Sequence, residues 1–468
     1  MMADTQDAEK VDEGLTTAVE SKPADNGSSD GSKGEELVLE GTSAPKPAPQ
    51  GFVAPNGGLA AWSAVAGGFL CQFASFGFLN VLGIFQTQYQ EENLSNYSPS
   101  TISWIFTFQL FLMFLCAQAD GMLVDMFGPR AVMIPSAILE LLGIAMLSLS
   151  KQNHYYQFFL AQGVCFGIGA AGLFMPGLIV AGQYFTTRRS LAIGIVASGA
   201  SMGGVIFPFV LNGLFNHVGF AVGLRWVVLI LGVPLALAIF LISSPLEPKG
   251  WAAGKRSLVG IKVFKKKPFL LFNIGGFLFY WGLFAPFDYL PSFALKVANQ
   301  NISLYTISII NASSVFGRIF PSFLADKFGA LLVMSIMAFL TSITVLLIWL
   351  PVNHSEDLFG VMFFTLLYGF TSGAFVSLMT PALVQLCGGK IADLGLMLGT
   401  FMAINSFASL TGLPIQGAIV DSQNGNFLGL ILFSGISLFV GSTFITSSLF
   451  MERYEKKKAA PPVTPGDV

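Results

Sequence analysis

Twelve times along its 468 residues the chain enters an apolar stretch long enough to cross a lipid bilayer. A spanning helix needs roughly 20 mostly apolar residues, because lipid offers backbone N–H and C=O groups no partners and the segment must satisfy them internally. The stretches lie near 60–85, 101–119, 131–149, 156–182, 190–215, 226–243, 269–290, 305–323, 331–350, 358–386, 395–419 and 427–450. Charge, Pro, Gly or Asn marks most of the breaks between them. Only 11% of the residues are charged and 53% are hydrophobic, whereas soluble domains carry roughly 25% charged residues. The pattern predicts an all-α membrane protein. It excludes a secreted disulfide scaffold, a disordered chain and a nucleic-acid binder, which would need a basic reading face.

Net charge is distributed unevenly. Residues 1–55 hold 11 acidic and 4 basic side chains, and the remainder hold 15 and 20. The acidic segment is rich in Gly, Ser and Pro and almost free of aromatics, so it cannot bury enough apolar area to offset its ordering entropy and reads as a disordered tail. It lacks the basic start and apolar core of a signal peptide. Six spans over 56–243 precede a basic linker, 244–268, and six follow over 269–450, with a C-terminal tail at 451–468. The linker's Lys255-Arg256 and Lys265-Lys266-Lys267 suit either a solvated connection or contact with anionic lipid. Cys71, Cys116, Cys165 and Cys387 all fall inside apolar runs and read as small hydrophobes in packed helices.

Lys and Arg in the loops orient the bundle. With a cytoplasmic N-terminus, sixteen of them fall inside, among them Arg130, Arg188, Arg189, Lys249, Lys327 and Lys456, and three outside: Lys151, Arg225 and Lys296. Both termini are therefore expected in the cytoplasm. The glycosylation sequons at Asn93, Asn96, Asn301 and Asn353 fall in loops placed outside by the same count. Those at Asn26 and Asn311 fall in the tail and within a span.

The loop after the second span reads Gly121-Met-Leu123-Val-Asp125-Met-Phe127-Gly128-Pro-Arg130, and the loop after the eighth reads Ser322-Phe-Leu324-Ala-Asp326-Lys-Phe328-Gly329. The shared Leu-x-Asp-x-Phe-Gly recurs after 201 residues, at the same place in each six-span half. Gly permits a tight turn and close helix approach, and Asp beside a helix start can cap it. This internal repeat resembles the major facilitator superfamily, whose two pseudo-symmetric six-helix halves carry that motif. The resemblance covers about 57–450 and implies twelve transmembrane helices. It also implies a conformational-switch role for Gly121, Asp125, Gly128, Arg130, Asp326 and Gly329.

Two further segments are similar to signatures of the monocarboxylate porter family, closest to its fungal members. One is Tyr184-Phe185-Thr-Thr-Arg188-Arg189-Ser-Leu191-Ala192-Ile-Gly194, and the other is Asn56-Gly57-Gly58-Leu59-Ala-Ala61-Trp62. The family usually has an acidic residue where Asn56 stands. Taken alone, these residues are mainly structural. Arg188 and Arg189 satisfy the charge rule, and Gly199 and Gly203 have the small-xxx-small spacing that lets two helices pack closely.

Other patterns carry no chemistry. Gly167-Ile-Gly169-Ala-Ala-Gly172 matches a dinucleotide fingerprint but sits inside an apolar span, not after a strand. His154, His217 and His354 are scattered through outside loops. No metal-ligand spacing, Walker-type Lys or nucleophile elbow is present, so neither an enzyme nor a cofactor is implied.

Ionisable groups within spans are costly and mark candidate sites. Three stand out: Glu140 in the third span, Asp288 near the outer end of the seventh and Arg318 in the eighth. Asn311, Ser314 and Arg318 share one helix face. A guanidinium can hold a carboxylate through two hydrogen bonds, or it can pair with a nearby acid such as Asp326. In the porters an Arg in the eighth span binds the substrate carboxylate, and Arg318 matches it by position. The best-known animal porters place Asp where Ser314 stands and a Lys in the first span, where this chain has Phe78-Leu79-Asn80. That departure implies a substrate larger or less acidic than lactate, with Asn80 beside it. Asp288, in Pro286-Phe-Asp288-Tyr-Leu-Pro291, and Glu140 are candidates for proton coupling; solvent exposure for the first and a buried hydrogen bond for the second are the alternatives.

The expected protein is a secondary transporter that moves a small organic solute, a monocarboxylate-like anion or a secondary metabolite, by alternating access, driven by a proton gradient or by that of the solute itself. Export for a biosynthetic pathway, nutrient import and a non-transporting solute sensor are the competing roles. The plasma membrane is the expected location, with the vacuolar membrane as the alternative.

Overall fold

The computed structural model describes residues 54–251, 261–297, 300–388 and 391–459, with side chains outside the description at 261–262, 300–304, 391–393 and 459. The predicted acidic tail, apart from its last two residues, and the linker's Lys255-Arg256 therefore lie outside the described residues. Twelve helices long and apolar enough to cross a membrane are present. Spans one to six are Leu59–Asn93, Pro99–Phe127, Pro129–Leu147, Tyr155–Tyr184, Arg189–Val218 and Phe220–Leu241. Spans seven to twelve are Lys267–Val297, Tyr305–Phe328, Ala330–Ser355, Leu358–Leu386, Leu394–Ser422 and Leu428–Lys458. All twelve coincide with the predicted stretches, and no strand occurs among the described residues.

Several helices run past their apolar cores, as polar residues can when they reach the interface. Span two continues to Phe127 and span eight to Phe328, so Asp125 and Asp326 sit in last helical turns and not in loops. Span twelve carries its helix through Lys456, Lys457 and Lys458, so the start of the predicted C-terminal tail is helical. The turns after spans two and eight need the glycines. Gly128 has φ +84° and Gly329 φ +95°, where a Cβ would be strained.

Each half is held by glycine-mediated contacts of the same kind. In the first half, the backbones of Gly163 and Gly167 on span four lie against Ile105 and Gln109 of span two. In the second, Gly369 and Gly373 on span ten lie against Ile310 and Ser314 of span eight. Gly199 and Gly203 bring span five against Phe69 and Gly77 of span one. Gly169 and Gly172, the false fingerprint, pack against Glu140 and Ser136 of span three. Without a hydrophobic driving force between helices in lipid, such close backbone approach supplies the dispersion contact that holds them together.

The halves meet along two pseudo-equivalent seams, span five against span eight and span two against span eleven. One face of the bundle, the terminus face, carries the start of span one and the end of span twelve, and the far face is opposite.

Candidate functional site

Spans five and eight run antiparallel and interlock residue by residue. From the far face inward, Gly204 receives Asn311, and the Ser201 hydroxyl donates to Ser314 Oγ at 3.1 Å. Arg318 then donates from Nη1 to the Ala197 carbonyl at 2.5 Å. Gly194 lies against the Arg318 backbone and Ser322. At the terminus face Asp326 accepts from the backbone N–H groups of Ser190 and Leu191 at 2.8 and 3.0 Å. On span five, positions 194, 197, 201 and 204 repeat every three or four residues and share one face. Small residues there admit the larger side chains of span eight.

Arg318 is 3% exposed, and its Nε has no hydrogen-bond partner. Among the described residues no carboxylate lies within 4.0 Å of it; the ion pairs are Lys249–Asp125 and Lys456–Glu452. Its guanidinium carbon lies 6.0 Å from the centre of the Phe76 ring on span one. Asp326 is committed to the start of span five and is not the partner of Arg318.

Arg318 and Ser314 line a small pocket of about 20 Å³ with Asn80, Phe76, Phe284 and Phe287. Asn80 donates to the Ala200 carbonyl at 3.0 Å. Asn311 shares the helix face but does not line this pocket: its amide donates to Ile307 O, and its buried Oδ1 is unpartnered against span five. Of the three polar residues of span eight expected to face substrate, Ser314 and Arg318 line the pocket as well as the seam, whereas Asn311 belongs to the seam.

A far larger cavity, about 450 Å³, opens beyond the pocket between the far ends of spans one, two, five, seven, eight and eleven. Register connects the two: Asn80, Phe287 and Ser314 line the pocket, whereas Gly83, Asp288 and Ile307 line the vestibule. The seven residues from Ile307 to Ser314 correspond to about 10 Å along a helix. Among the described residues the vestibule lining includes Glu91, Asp288 and Asp421, several Gln and Asn side chains, and no Lys, Arg or His. The vestibule thus reaches into the bundle from the far face, whereas at the terminus face the seam is joined as far as Asp326, beside a shallow surface depression of about 630 Å³.

Span seven breaks at Phe284, ahead of Pro286, and resumes over Ala285–Val297. Pro286 has no N–H to continue the ladder, and the break delivers Asp288 to the vestibule. Glu140 lines neither cavity. It is fully buried on span three against the backbone of Gly169, and both its oxygens lack hydrogen-bond partners.

The signature segments perform structural work at the terminus face. Asn56, with φ +57°, accepts through Oδ1 from Thr186 N at 2.6 Å, Thr186 Oγ1 at 2.7 Å and Thr187 N at 3.2 Å. Gly58, φ +92°, turns the chain into span one, and Trp62 meets the Phe185 ring edge-on at 5.2 Å. The two signatures, 130 residues apart, are thus one contact. Arg189 donates to the carbonyls of Gly182 and Phe185, and Arg188 is exposed. Arg130 gathers the carbonyls of Ile239, Phe240 and Ile242 at the end of span six. Gly121 lies against span four and Gly395 of span eleven. The Asp125 carboxylate is 3.8 Å from Lys249, whose backbone N–H reaches Asp125 O.

Of the sequons, Asn93 ends the helical turn Tyr89–Asn93, Asn353 lies in the helix Leu350–Ser355, and Asn96 is exposed between spans. The side chain of Asn301 lies outside the described residues. Sequence reasoning missed Asp120, whose Oδ2 is buried without a partner. It fell just past the apolar window of span two, and only the longer helix places it within a span. It also missed the aromatic side chains around Arg318, which look like ordinary core in a chain with 46 Phe.

Comparison with known proteins follows the same lines. A family model described as the Major Facilitator Superfamily matches residues 65–323 and 301–466. The chain belongs to the major facilitator superfamily. It is a membrane transporter of that superfamily. It is 42% identical over 409 residues to the MFS-type transporter hasB of Aspergillus fumigatus, covering 85% of this chain and 90% of that protein. It is 38% identical to the agnestins efflux protein AgnL12 of Paecilomyces divaricatus, covering 81% and 85%. It is 36% identical to the fujikurins efflux protein of Gibberella fujikuroi, covering 86% and 85%. Among solved structures, the superfamily transporter FucP in its outward conformation aligns with a TM-score of 0.60 at 15% identity, covering 82% of this chain and 98% of that one. At that identity the likeness concerns the fold.

Proposed function

We propose that this transporter exports a small organic anion, a monocarboxylate-like compound or a secondary metabolite, by alternating access, and that it is a fungal-type member of the monocarboxylate porters. One observation carries the reading: Arg318 is buried at the meeting of the two halves with no carboxylate among the described residues within 4.0 Å to neutralise it. An unpaired charge at mid-depth costs roughly 2.5–3.5 kcal/mol on insertion scales, and an anionic solute is the group that would offset it. The seam and the open vestibule then correspond to two ends of one cycle. Closure of the far face would accompany release of spans five and eight at the terminus face.

The efflux names of two relatives support export, and so does the vestibule. The three carboxylates among its described lining residues repel an anion once it leaves the central pocket, which favours discharge over capture. The Lys and Arg bias supports a cytoplasmic terminus face, and the plasma membrane is the proposed site of action. Asp288 is the group placed to exchange protons with the far side; Glu140 could serve only through motions that expose it.

Purified protein in liposomes, loaded with a panel of organic acids, tests the reading. Efflux of an anion that is lost in Arg318→Gln and partly kept in Arg318→Lys is the expected result. Losing one partner of a buried charge pair costs about 2–5 kcal/mol, enough to abolish measurable binding. Equal flux from the Arg318→Gln variant would remove Arg318 from the solute path. Cysteine labelling at position 93 from the cytoplasmic side alone would reverse the orientation.

A further inference from the structure

Aromatic rings converge on the Arg318 pocket from both halves. Phe174, Phe76 and Phe114, from spans four, one and two, form a triangle with centroid separations of 5.8, 6.0 and 6.2 Å. Across the boundary between halves, Phe114 meets Tyr280 of span seven at 5.7 Å and an interplanar angle of 78°. Tyr280 continues to Phe284 at 5.9 Å and Phe375 at 5.7 Å. Phe174 and Phe375 are 201 residues apart, the offset of the repeated loop motif, so each half contributes an aromatic at an equivalent depth. Phe76 and Phe284 line the pocket with Arg318.

The Phe114–Tyr280 contact joins two bodies that must separate during transport. Separating them in an aqueous path would expose two large apolar faces and forfeit the edge-to-face attraction that such rings gain beyond area burial. A flat conjugated ring between them would replace the lost contact, and a carboxylate or acidic enol on its edge would reach Arg318. An aliphatic acid would satisfy the charge and leave the rings without a partner. We propose that the solute is a planar, conjugated organic acid, held between aromatic side chains of opposite halves with its acidic edge on Arg318. This rests on the anion reading above and adds the shape and electronic character of the solute.

Three probes separate charge from planarity: 2-naphthoate, its saturated counterpart decahydro-2-naphthoate, and neutral 2-naphthylmethanol. Binding to the full-length protein in detergent is measured by calorimetry. The expected result is at least tenfold tighter binding of naphthoate than of decahydronaphthoate. Phe76→Leu and Phe114→Leu keep apolar volume and should each cut that ratio about three- to tenfold, with decahydronaphthoate affinity within twofold of the parent. Arg318→Gln should weaken both acids and leave the alcohol unchanged. Equal binding of the two acids, no binding of naphthoate at millimolar concentration, or an unchanged ratio in both Leu variants would overturn the proposal. If Arg318→Gln leaves both acids bound while the ratio still depends on the two phenylalanines, the rings select the solute and the anion reading fails.

Discussion

The carboxylate of Asp326, on span eight, receives the backbone N–H of Ser190 at the first turn of span five, in the other half of the molecule, at 2.8 Å. Leu191 donates to its second oxygen at 3.0 Å. The repeated motif therefore caps a helix across the boundary between halves. It satisfies donors that a helix start leaves free and places negative charge at the positive end of the dipole.

Removing that cap should open the terminus face. A side-chain cap is worth about 0.5–2 kcal/mol, so Asp326→Ala should shift the conformational equilibrium several-fold. A cysteine introduced at Ser103, in the vestibule lining, should react more slowly with an impermeant maleimide. Unchanged labelling would mean that the seam is held elsewhere.

Gly194 offers a steric test of the same seam. A Cβ there would lie 2.5 Å from the Arg318 carbonyl and 2.6 Å from Ser322 Oγ. Overpacking of this kind typically costs 1–3 kcal/mol. Gly194→Ala should lengthen the distance between spin labels placed on spans five and eight at the terminus face, and Gly194→Val more so. A distance distribution identical to the parent would refute the close contact.

Asn56 should protect the segment it caps. Asn56→Ala removes one acceptor shared by the Thr186 and Thr187 backbones, at a cost of about 1 kcal/mol. Trypsin cleavage after Arg188 or Arg189 should accelerate severalfold. Asn56→Asp keeps the acceptor, so its cleavage rate should stay near the parent's. Equal rates in all three proteins would show that the latch does not order this segment.

The hydrogen bonds of Arg130 all fall within the first half. Its three carbonyl partners lie at the end of span six, and cations favour that end of a helix. Arg130→Met should lower the melting temperature by a few degrees, and Arg130→Lys, lacking the planar fork, should recover only part. Flux per folded molecule should be unchanged. A large loss of flux at unchanged melting temperature would instead assign Arg130 to the cycle.

Asp125 occupies the pseudo-equivalent position to Asp326, beside Gly395 of span eleven and 3.8 Å from Lys249. Asp125→Asn should slow turnover several-fold while solute affinity stays within twofold. Weakened affinity with normal turnover would place Asp125 against the solute.

The twelve spans, the repeat and the turn glycines Gly128 and Gly329 were legible in the sequence. Each depends on local properties: apolar length, residue spacing and the conformational freedom of glycine. Arg318, Glu140 and Asp288 were also legible, because a charge within an apolar run is conspicuous on its own. What surrounds each of them was decided by packing between segments far apart in the chain. Asn311 and Arg318 share a helix face, yet one is spent against Gly204 of span five and the other reaches the pocket. Glu140 and Asp288 both interrupt apolar runs, yet of the two only Asp288 lines the vestibule. Asn56 and Thr186 belong to segments read separately, and only the fold makes one the cap of the other. Helix periodicity states which side chains share a face; which neighbour that face meets depends on interhelical contacts over more than a hundred residues, and local pattern does not encode them.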